Sequence, residues 1–248
     1  MAVLIGRGGG ILGLAGVVQL GSANDGGTSG TALSLTCTAA VALDQVIVVM
    51  AGWTGIAGDT CVFSDSGGNT YPATSDANIG STASSVALSY TVIRCDVAAL
   101  TTSSTITATV SASRAGRVVA AFKMNHGGLI FPVSVDVASS ATGISTTEVP
   151  GNVTTTQYPD LAIFAQNNAT AQTVTAPGGY TNRLSVVNFA STGIIELFTR
   201  PTTATLVLGP GPTITSTTWV AAQTAYRMDD SYARSPRGAV APVSAAVF

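Results

Sequence analysis

The chain of 248 residues contains one lysine, Lys123, and two glutamates, Glu148 and Glu196. Lysine and glutamate favour helices, whereas the 35 threonines of the chain are β-branched and favour strands. The sequence also has 27 glycines and 10 prolines, which are typical of turns. The scarcity of helix formers therefore argues against a helical fold and predicts an all-β protein with many turns.

Charged residues are also few, because they make up 9% of the chain where about 25% is usual for globular domains. The formal net charge is −2, and the ten lysine and arginine residues are scattered along the sequence. Phosphate contacts need clustered basic side chains, so nucleic acid is not expected as a partner. A weakly charged surface offers little repulsion and suits a protein that packs against neighbouring proteins.

Residues for acid–base catalysis are scarce. The single histidine, His126, lies beside two glycines where a turn is expected, and the sequence has no G-x-S-x-G motif. Most glycoside hydrolases need two carboxylates, and candidates include Glu148 and Glu196. Alternation places Glu196 with Ile194 and Phe198, and burial of that strand face is one alternative, but we favour an edge or solvent-facing residue. We therefore expect no enzymatic activity and no cofactor.

Three cysteines, Cys37, Cys61 and Cys95, are widely spaced, and no C-x-x-C pair occurs. Zinc sites and thioredoxin-like redox sites therefore have no support. We expect buried free thiols, and a single disulfide between two of the three remains the alternative.

The two ends of the chain differ from its middle. Residues 1–30 are predicted to form a glycine-rich arm, because residues 2–20 are apolar but contain six glycines and Arg7. This composition suits neither a membrane span nor a signal peptide, and no membrane partner is expected. Residues 228–248 lack strand alternation and are predicted to form a C-terminal tail. The arm residues expected to bind partner subunits are Val3, Leu4, Ile5, Ile11, Leu12, Leu14, Val247 and Phe248.

Short apolar runs between glycine, proline, asparagine and serine clusters predict about a dozen strands in residues 31–227. The run at 45–53 is continuously apolar, as in a central strand that is covered on both faces. No linker or repeat divides this region, so we predict a single jelly-roll-like antiparallel β-sandwich with extended N- and C-terminal arms. The other predicted strands are residues 31–38, 60–64, 86–95, 105–110, 117–124, 131–137, 160–166, 184–189, 194–199, 203–208 and 218–226.

The sequence assigns no metal site, and calcium is the most plausible ion if a metal is bound. Asp59, Asp65, Asn69 and Asp76 lie within eighteen residues of loop-like sequence. Calcium takes oxygen ligands from such side chains, although no EF-hand spacing is present. Asx turns explain Asp65 and Asn69 equally well, so both interpretations stay open.

Residues 63–71, with the sequence FSDSGGNTY, resemble the D-S-x-G-N-T-Y/W hairpin of β-sandwich proteins found in bacteriophages and bacterial genomes. The resemblance continues through a strand containing Tyr90, a strand leading to a glycine turn at 118–128, a P-V-x-V-D segment at 132–136 and a late strand at 219–226. It spans residues 32–226 and implies a jelly-roll or lectin-like sandwich on virions or cell surfaces.

The resemblance and the two arms together suggest a structural protein of a tailed bacteriophage virion. The expected role is that of a capsid decoration or minor head protein on the particle surface, which forms a homo-oligomer and binds other capsid or tail subunits. The alternative is a tail-fibre or adhesin-type module that binds a host carbohydrate or receptor. In that case exposed aromatic side chains would stack on sugar rings, with Trp53, Tyr71, Tyr180 and Trp219 as candidates.

Overall fold

The structure is a computed structural model. Strands account for 63% of the residues that it describes, and none of these residues lies in a helix. No helix capable of crossing a membrane is therefore found in this part of the chain. The all-β prediction is confirmed. The described residues are 17–80, 86–124, 134–156, 160–172, 174–187, 193–202, 204–209 and 211–227.

The first half of the chain forms two antiparallel sheets. One has five strands in the order β1-β8-β3-β6-β5 and is called the central sheet, and the other has three strands in the order β2-β7-β4 and is called the small sheet. The strands are β1 (Val17–Asn24), β2 (Gly30–Thr36), β3 (Val46–Thr54), β4 (Cys61–Asp65), β5 (Ala77–Gly80), β6 (Val86–Arg94), β7 (Thr105–Arg114) and β8 (Val118–Met124).

The second half forms a five-stranded antiparallel sheet in the order β12-β13-β11-β15-β9, called the C-terminal sheet, and a two-stranded ladder of β10 and β14. Both edge strands of the C-terminal sheet, β12 and β9, come from separate parts of the sequence. The strands are β9 (Val135–Thr147), β10 (Val153–Thr154), β11 (Asp160–Asn168), β12 (Thr181–Val187), β13 (Ile194–Thr202), β14 (Val207–Leu208) and β15 (Thr213–Arg227).

The central sheet lies between the C-terminal sheet and the small sheet. Alternate residues of β3, such as Val48 and Met50, pack with Ile163 of the C-terminal sheet in one core. The intervening residues of β3, such as Val49, pack with Phe63 of the small sheet in a second core. Because both faces are covered, eight of the nine residues of β3 are buried, as its continuous apolar run predicts.

The outer face of the C-terminal sheet is covered as well. Phe164, Phe198 and Trp219 pack there with Ile214, and the rings of Phe164 and Phe198 meet edge to face with centroids 6.1 Å apart. The layers therefore number more than two. The single jelly roll is not confirmed, because the strands divide among several sheets that do not close on one another.

Strand β1 lies inside the range that the sequence assigns to the N-terminal arm. It pairs along its length with β8, and its Leu20 is completely buried. A register shift at Gly21 accommodates a backbone with φ of 152°, and a Cβ there would approach the carbonyl oxygen of Thr36 to 2.8 Å. Residues 17–24 of the predicted arm range therefore belong to the central sheet, which the chain joins at Val17.

Strand β9 is much longer than the sequence predicts. The predicted strand ends at residue 137, whereas β9 continues to Thr147 and pairs with β15 over most of its length. Serine, threonine, alanine and glycine dominate this stretch and hide its alternation, which emerges only as alternating burial along the strand. The strands β5 and β10 are also absent from the prediction, because each has four residues or fewer.

Candidate functional site

The predicted arm contacts and the histidine cannot be placed in this fold. His126 and the C-terminal tail lie outside the described residues, as does the arm before Val17. The same holds for each predicted arm contact, namely Val3, Leu4, Ile5, Ile11, Leu12, Leu14, Val247 and Phe248.

The first calcium candidate, Asp59, is engaged by an arginine. Arg114 donates two hydrogen bonds of 2.7 Å, one to each carboxylate oxygen of Asp59. The indole N–H of Trp53 and the backbone N–H of Ile56 donate to the same carboxylate at 3.3 and 3.1 Å. The hydrogen bonds from Arg114 hold the pKa of Asp59 below its ordinary value. Asp59 therefore anchors the loop after β3 to the end of β7.

Asp65 and Asn69 form a hydrogen-bonded turn inside the D-S-x-G-N-T-Y motif. The carboxylate of Asp65 accepts from the backbone N–H of Gly67 at 2.8 Å, from the Asn69 amide at 3.0 Å and from the Tyr71 hydroxyl at 3.1 Å. Gly68 has a φ of 71°, which favours glycine. The motif is therefore accounted for by a local turn, as its Asx-turn interpretation predicts.

Asp76 connects the central sheet to the C-terminal sheet. Its Oδ2 accepts hydrogen bonds from the backbone N–H of Val92 at 2.8 Å, from the Thr91 hydroxyl at 3.2 Å and from the Tyr226 hydroxyl at 2.8 Å. Val92 belongs to β6 and Tyr226 to β15, so one carboxylate oxygen holds strands of both sheets.

The structure does not bring the calcium candidates together into one site. Asp59, Asp76 and the Asp65–Asn69 turn each have their own set of protein donors. Within the described ranges, no three histidine, cysteine, aspartate or glutamate side chains converge on a metal-binding position. The loop sequence that suggested calcium is therefore used for structural hydrogen bonds.

Three cysteines and two tryptophans are buried. Cys37, Cys61 and Cys95 are all free thiols, so the disulfide alternative is not realised. Trp53 and Trp219 are 1% and 4% exposed and belong to the cores, which leaves no indole face for a sugar. The two tyrosine candidates, Tyr71 and Tyr180, are half-buried.

Glu196 is buried, so its interpretation as an edge or solvent-facing residue is wrong. Its strand, β13, has β11 on one side and β12 on the other, and the residue is 2% exposed. The Gln166 amide donates to its Oε2 at 2.5 Å, and the Asn182 amide lies 3.4 Å from Oε1. Burial raises the pKa of Glu196 to about 7. The sequence alone leaves this open, because the burial of Glu196 depends on β11 and β12 both pairing with β13.

The second glutamate, Glu148, is completely buried next to the same face of the C-terminal sheet. It follows β9, and its backbone is held by hydrogen bonds to Pro212 and from Gly211, at 3.3 and 2.6 Å. Neither oxygen of its carboxylate has a hydrogen-bond partner. Burial, with a smaller contribution from the nearby charge of Glu196, raises the pKa of Glu148 to about 9.

Two amides of β11 complete this buried polar group. Gln166 and Asn168 are both fully buried and lie two residues apart on the strand face that also carries Phe164. Asn168 is close enough to Glu148 to lower its pKa, yet neither atom of its amide has a hydrogen-bond partner of ordinary geometry. The Oε1 atom of Gln166 also lacks a partner. We call Glu148, Gln166, Asn168 and Glu196 the acid–amide cluster.

The acid–amide cluster can hold a proton or a cation, but it does not have the access that a hydrolase needs. Its carboxylates are 0% and 2% exposed, whereas glycoside hydrolysis requires carboxylates that flank a bound sugar. An ionised carboxylate without partners is costly in a buried position. The cluster therefore requires a proton or a cation for neutralisation.

The edge of the C-terminal sheet formed by β9, which pairs with β15 alone among the described strands, is the second feature that bears on function. Strand β9 is the last strand of the sheet and has thirteen residues, with Ile144 63% exposed and Val135 41% exposed. The strand contains no lysine, arginine or proline, and its one charged residue, Asp136, is engaged by Thr156 and Arg227. Charges and prolines normally protect such edges from pairing with other chains.

Asp76 is one of the residues that line a groove of about 430 Å³. Its polar lining includes Asp76, Arg94 and Asp96, and the backbone N–H of Thr70 donates to Asp96 at 2.8 Å. No described aromatic residue lines the groove.

Comparisons of the chain with protein-family models, with curated proteins and with solved structures found no match.

Proposed function

We propose that this protein is a structural, non-enzymatic component of a tailed bacteriophage virion, a capsid decoration or minor head protein on the particle surface. In this role it binds neighbouring subunits, including copies of itself, through its sheets and its arms. The observation that carries the assembly part of the proposal is the sheet edge formed by β9.

Strand addition explains why β9 carries so little protection. An extended strand of thirteen residues offers about 44 Å of edge, along which a partner strand can form main-chain hydrogen bonds without any charge. A free-standing protein would expose this edge to aggregation. A protein that is permanently assembled has the edge covered by a neighbour.

The remaining support comes from the composition of the chain, from one sequence motif and from the burial of the glutamates. A charged fraction of 9% suits a surface that is covered by other subunits, since interface cores are depleted in charged residues. The phage assignment depends on the D-S-x-G-N-T-Y motif and its resemblance to virion proteins. The non-enzymatic assignment is supported by the burial of both glutamates.

The virion assignment can be tested by immunogold electron microscopy of particles released from cells that carry this gene. Labelled particle surfaces are the expected result, and mass spectrometry of purified particles should detect the chain. Particles without label, with the chain found only in the soluble fraction, would refute the proposal.

The role of β9 can be tested separately with Ile144→Lys. A lysine on the edge strand of each subunit opposes pairing, so the variant should fold normally and fail to assemble in light scattering or in particle incorporation. Leu43→Lys is the matched control, because Leu43 is 53% exposed and lies outside the strands. Equal assembly of both variants would exclude the β9 edge as the interface.

A deletion of residues 2–16 tests the arm without removing β1. The deletion stops before Val17 and so spares β1, which pairs with β8. Reduced incorporation with an unchanged melting temperature is expected, and unchanged incorporation would remove the arm from the proposal.

The groove beside Asp76 favours a second candidate, a tail-fibre or adhesin-type module that binds a host carbohydrate. Aspartate and arginine side chains such as Asp96 and Arg94 hydrogen-bond sugar hydroxyls well. The absence of an aromatic stacking surface in the described lining weakens this candidate. Binding on a glycan array that is lost in Asp96→Ala would favour it over the assembly role.

A further inference from the structure

The acid–amide cluster has more unpaired oxygen atoms than a stable core tolerates. Both carboxylate oxygens of Glu148, the Oδ1 atom of Asn168 and the Oε1 atom of Gln166 are buried without a hydrogen-bond partner. A buried polar group without a partner costs about 1–3 kcal/mol, and a buried charge costs more. Such a concentration of unpaired oxygens indicates that a further group belongs among them.

The positions of these atoms follow from the sheet. Gln166 and Asn168 lie on one face of β11, and Glu196 pairs directly with Gln166 on the neighbouring strand β13. Glu148 reaches the same face from the loop after β9, where Gly211 lies against both the ring of Phe164 and the backbone of Glu148. Two carboxylates and two amides therefore meet at one place.

We propose that the acid–amide cluster binds one calcium ion inside the fold, with the carboxylate of Glu148 as its principal ligand. The amide oxygens of Asn168 and Gln166 supply neutral ligands. Glu196, held by the Gln166 amide, supplies the second negative charge.

The chemistry of the donors selects the ion. All of them are oxygens of carboxylates and amides, which hard cations prefer, and no described histidine or cysteine takes part. Two carboxylates balance the charge of a divalent cation. Magnesium usually keeps several of its waters, whereas calcium accepts irregular sets of protein oxygens and therefore suits a site without access to solvent.

This site differs from the loop site that the sequence suggests. The side chains of Asp59, Asp65 and Asp76 already accept hydrogen bonds from protein donors. The carboxylate of Glu148 accepts no hydrogen bond of ordinary geometry. A carboxylate that accepts few protein hydrogen bonds loses less free energy on binding a cation than one that must first give up such bonds.

The test uses the full chain, unfolded in guanidinium with EGTA and refolded in calcium chloride, in magnesium chloride or in EGTA. Refolding is needed because the cluster is closed to solvent. Protein refolded in calcium should retain one calcium ion per chain after gel filtration, as measured by mass spectrometry of the metal. Its melting temperature should rise by roughly 5–10 °C when free calcium is about 100-fold above Kd.

Two variants assign the ion to the cluster. Glu148→Gln should retain no calcium and melt at one temperature in calcium and in EGTA, and Glu196→Gln should retain calcium at least about tenfold more weakly because one ligand charge is lost. Asp44→Asn is the matched control, since the Asp44 side chain is 72% exposed and its φ of 65° suits asparagine. It should behave as the unmodified chain.

Three results would overturn the proposal. One is an unmodified chain that retains no calcium and melts alike in calcium and in EGTA. Another is equal calcium retention by the unmodified chain and Glu148→Gln, which would place the ion elsewhere. The third is retention of magnesium in preference to calcium.

Discussion

Glu148 and Glu196, the only two glutamates of the chain, are both buried at the outer face of the C-terminal sheet, and the charge of Glu196 raises the pKa of Glu148. Because both glutamates are buried, neither contributes to the solubility of the protein. Their joint burial also has direct consequences for stability.

Stability in the absence of metal should fall as the pH rises. The pKa of Glu148 is raised from 4.5 to about 9, and that of Glu196 from 4.5 to about 7. The folded state therefore binds more protons than the unfolded state between pH 4.5 and about 9. The stabilisation is complete below pH 4.5 and is lost as the pH rises through the folded pKa values. Each proton contributes a slope of up to about 1.4 kcal/mol per pH unit.

Guanidinium denaturation in EGTA at several pH values between 5 and 9 would measure this slope. Glu148→Gln should flatten the curve between pH 7 and 9, because Glu148 is the one of the two glutamates that keeps its proton in the folded state over this range. A free energy of unfolding that rises with pH over this range would contradict the prediction.

The hydroxyl of Tyr226 should contribute more to the free energy of unfolding than the hydroxyl of Tyr180. Tyr226 donates to the Asp76 carboxylate at 2.8 Å across two sheets, and hydrogen bonds to charged groups contribute about 1.5–3 kcal/mol. The buried hydroxyl of Tyr180 has no hydrogen-bond partner. Tyr226→Phe should therefore lower the free energy of unfolding by about that amount, and Tyr180→Phe should leave it unchanged or raise it slightly. Equal effects in urea denaturation would count against this assignment.

The turn at Gly68 provides a test of backbone conformation alone. A Cβ at Gly68 or at Gly178 would meet no atom within 4 Å, but only Gly68 has a positive φ, of 71°. Gly68→Ala should therefore cost about 1–2 kcal/mol, whereas Gly178→Ala should be neutral or slightly stabilising. Thermal denaturation of the two variants measures the difference, and the prediction fails if both melt at the same temperature.

The three thiols should be unreactive until the protein unfolds. Burial raises the pKa of Cys61 to about 12 and also raises the pKa of Cys37 and Cys95. Ellman's reagent at pH 8 should titrate no thiol in the folded protein on the timescale of minutes and all three in guanidinium. Rapid reaction of a thiol in the folded protein would place that cysteine at the surface.

The sequence predicts the strands whose signal is local. The central position of β3 follows from a continuous apolar run, and the turn from Asp65 to Tyr71 follows from its own side chains. Strand β1 and the long extension of β9 are missed, because glycine or small polar residues obscure their alternation. Their pairing with β8 and β15 compensates for weak local preference, which no local window can show.

The sequence by itself determined that this protein is built from antiparallel strands, because residue composition and alternation act within a few neighbouring positions. Only the tertiary structure decided how many sheets form and which strands lie at their edges. The burial of Glu196 also depends on the tertiary structure, because β12 and β11 must pair with β13 on either side before that carboxylate is covered. Glu148 and Glu196 meet through strand pairing between distant parts of the chain, and a carboxylate's burial and pKa depend on that pairing.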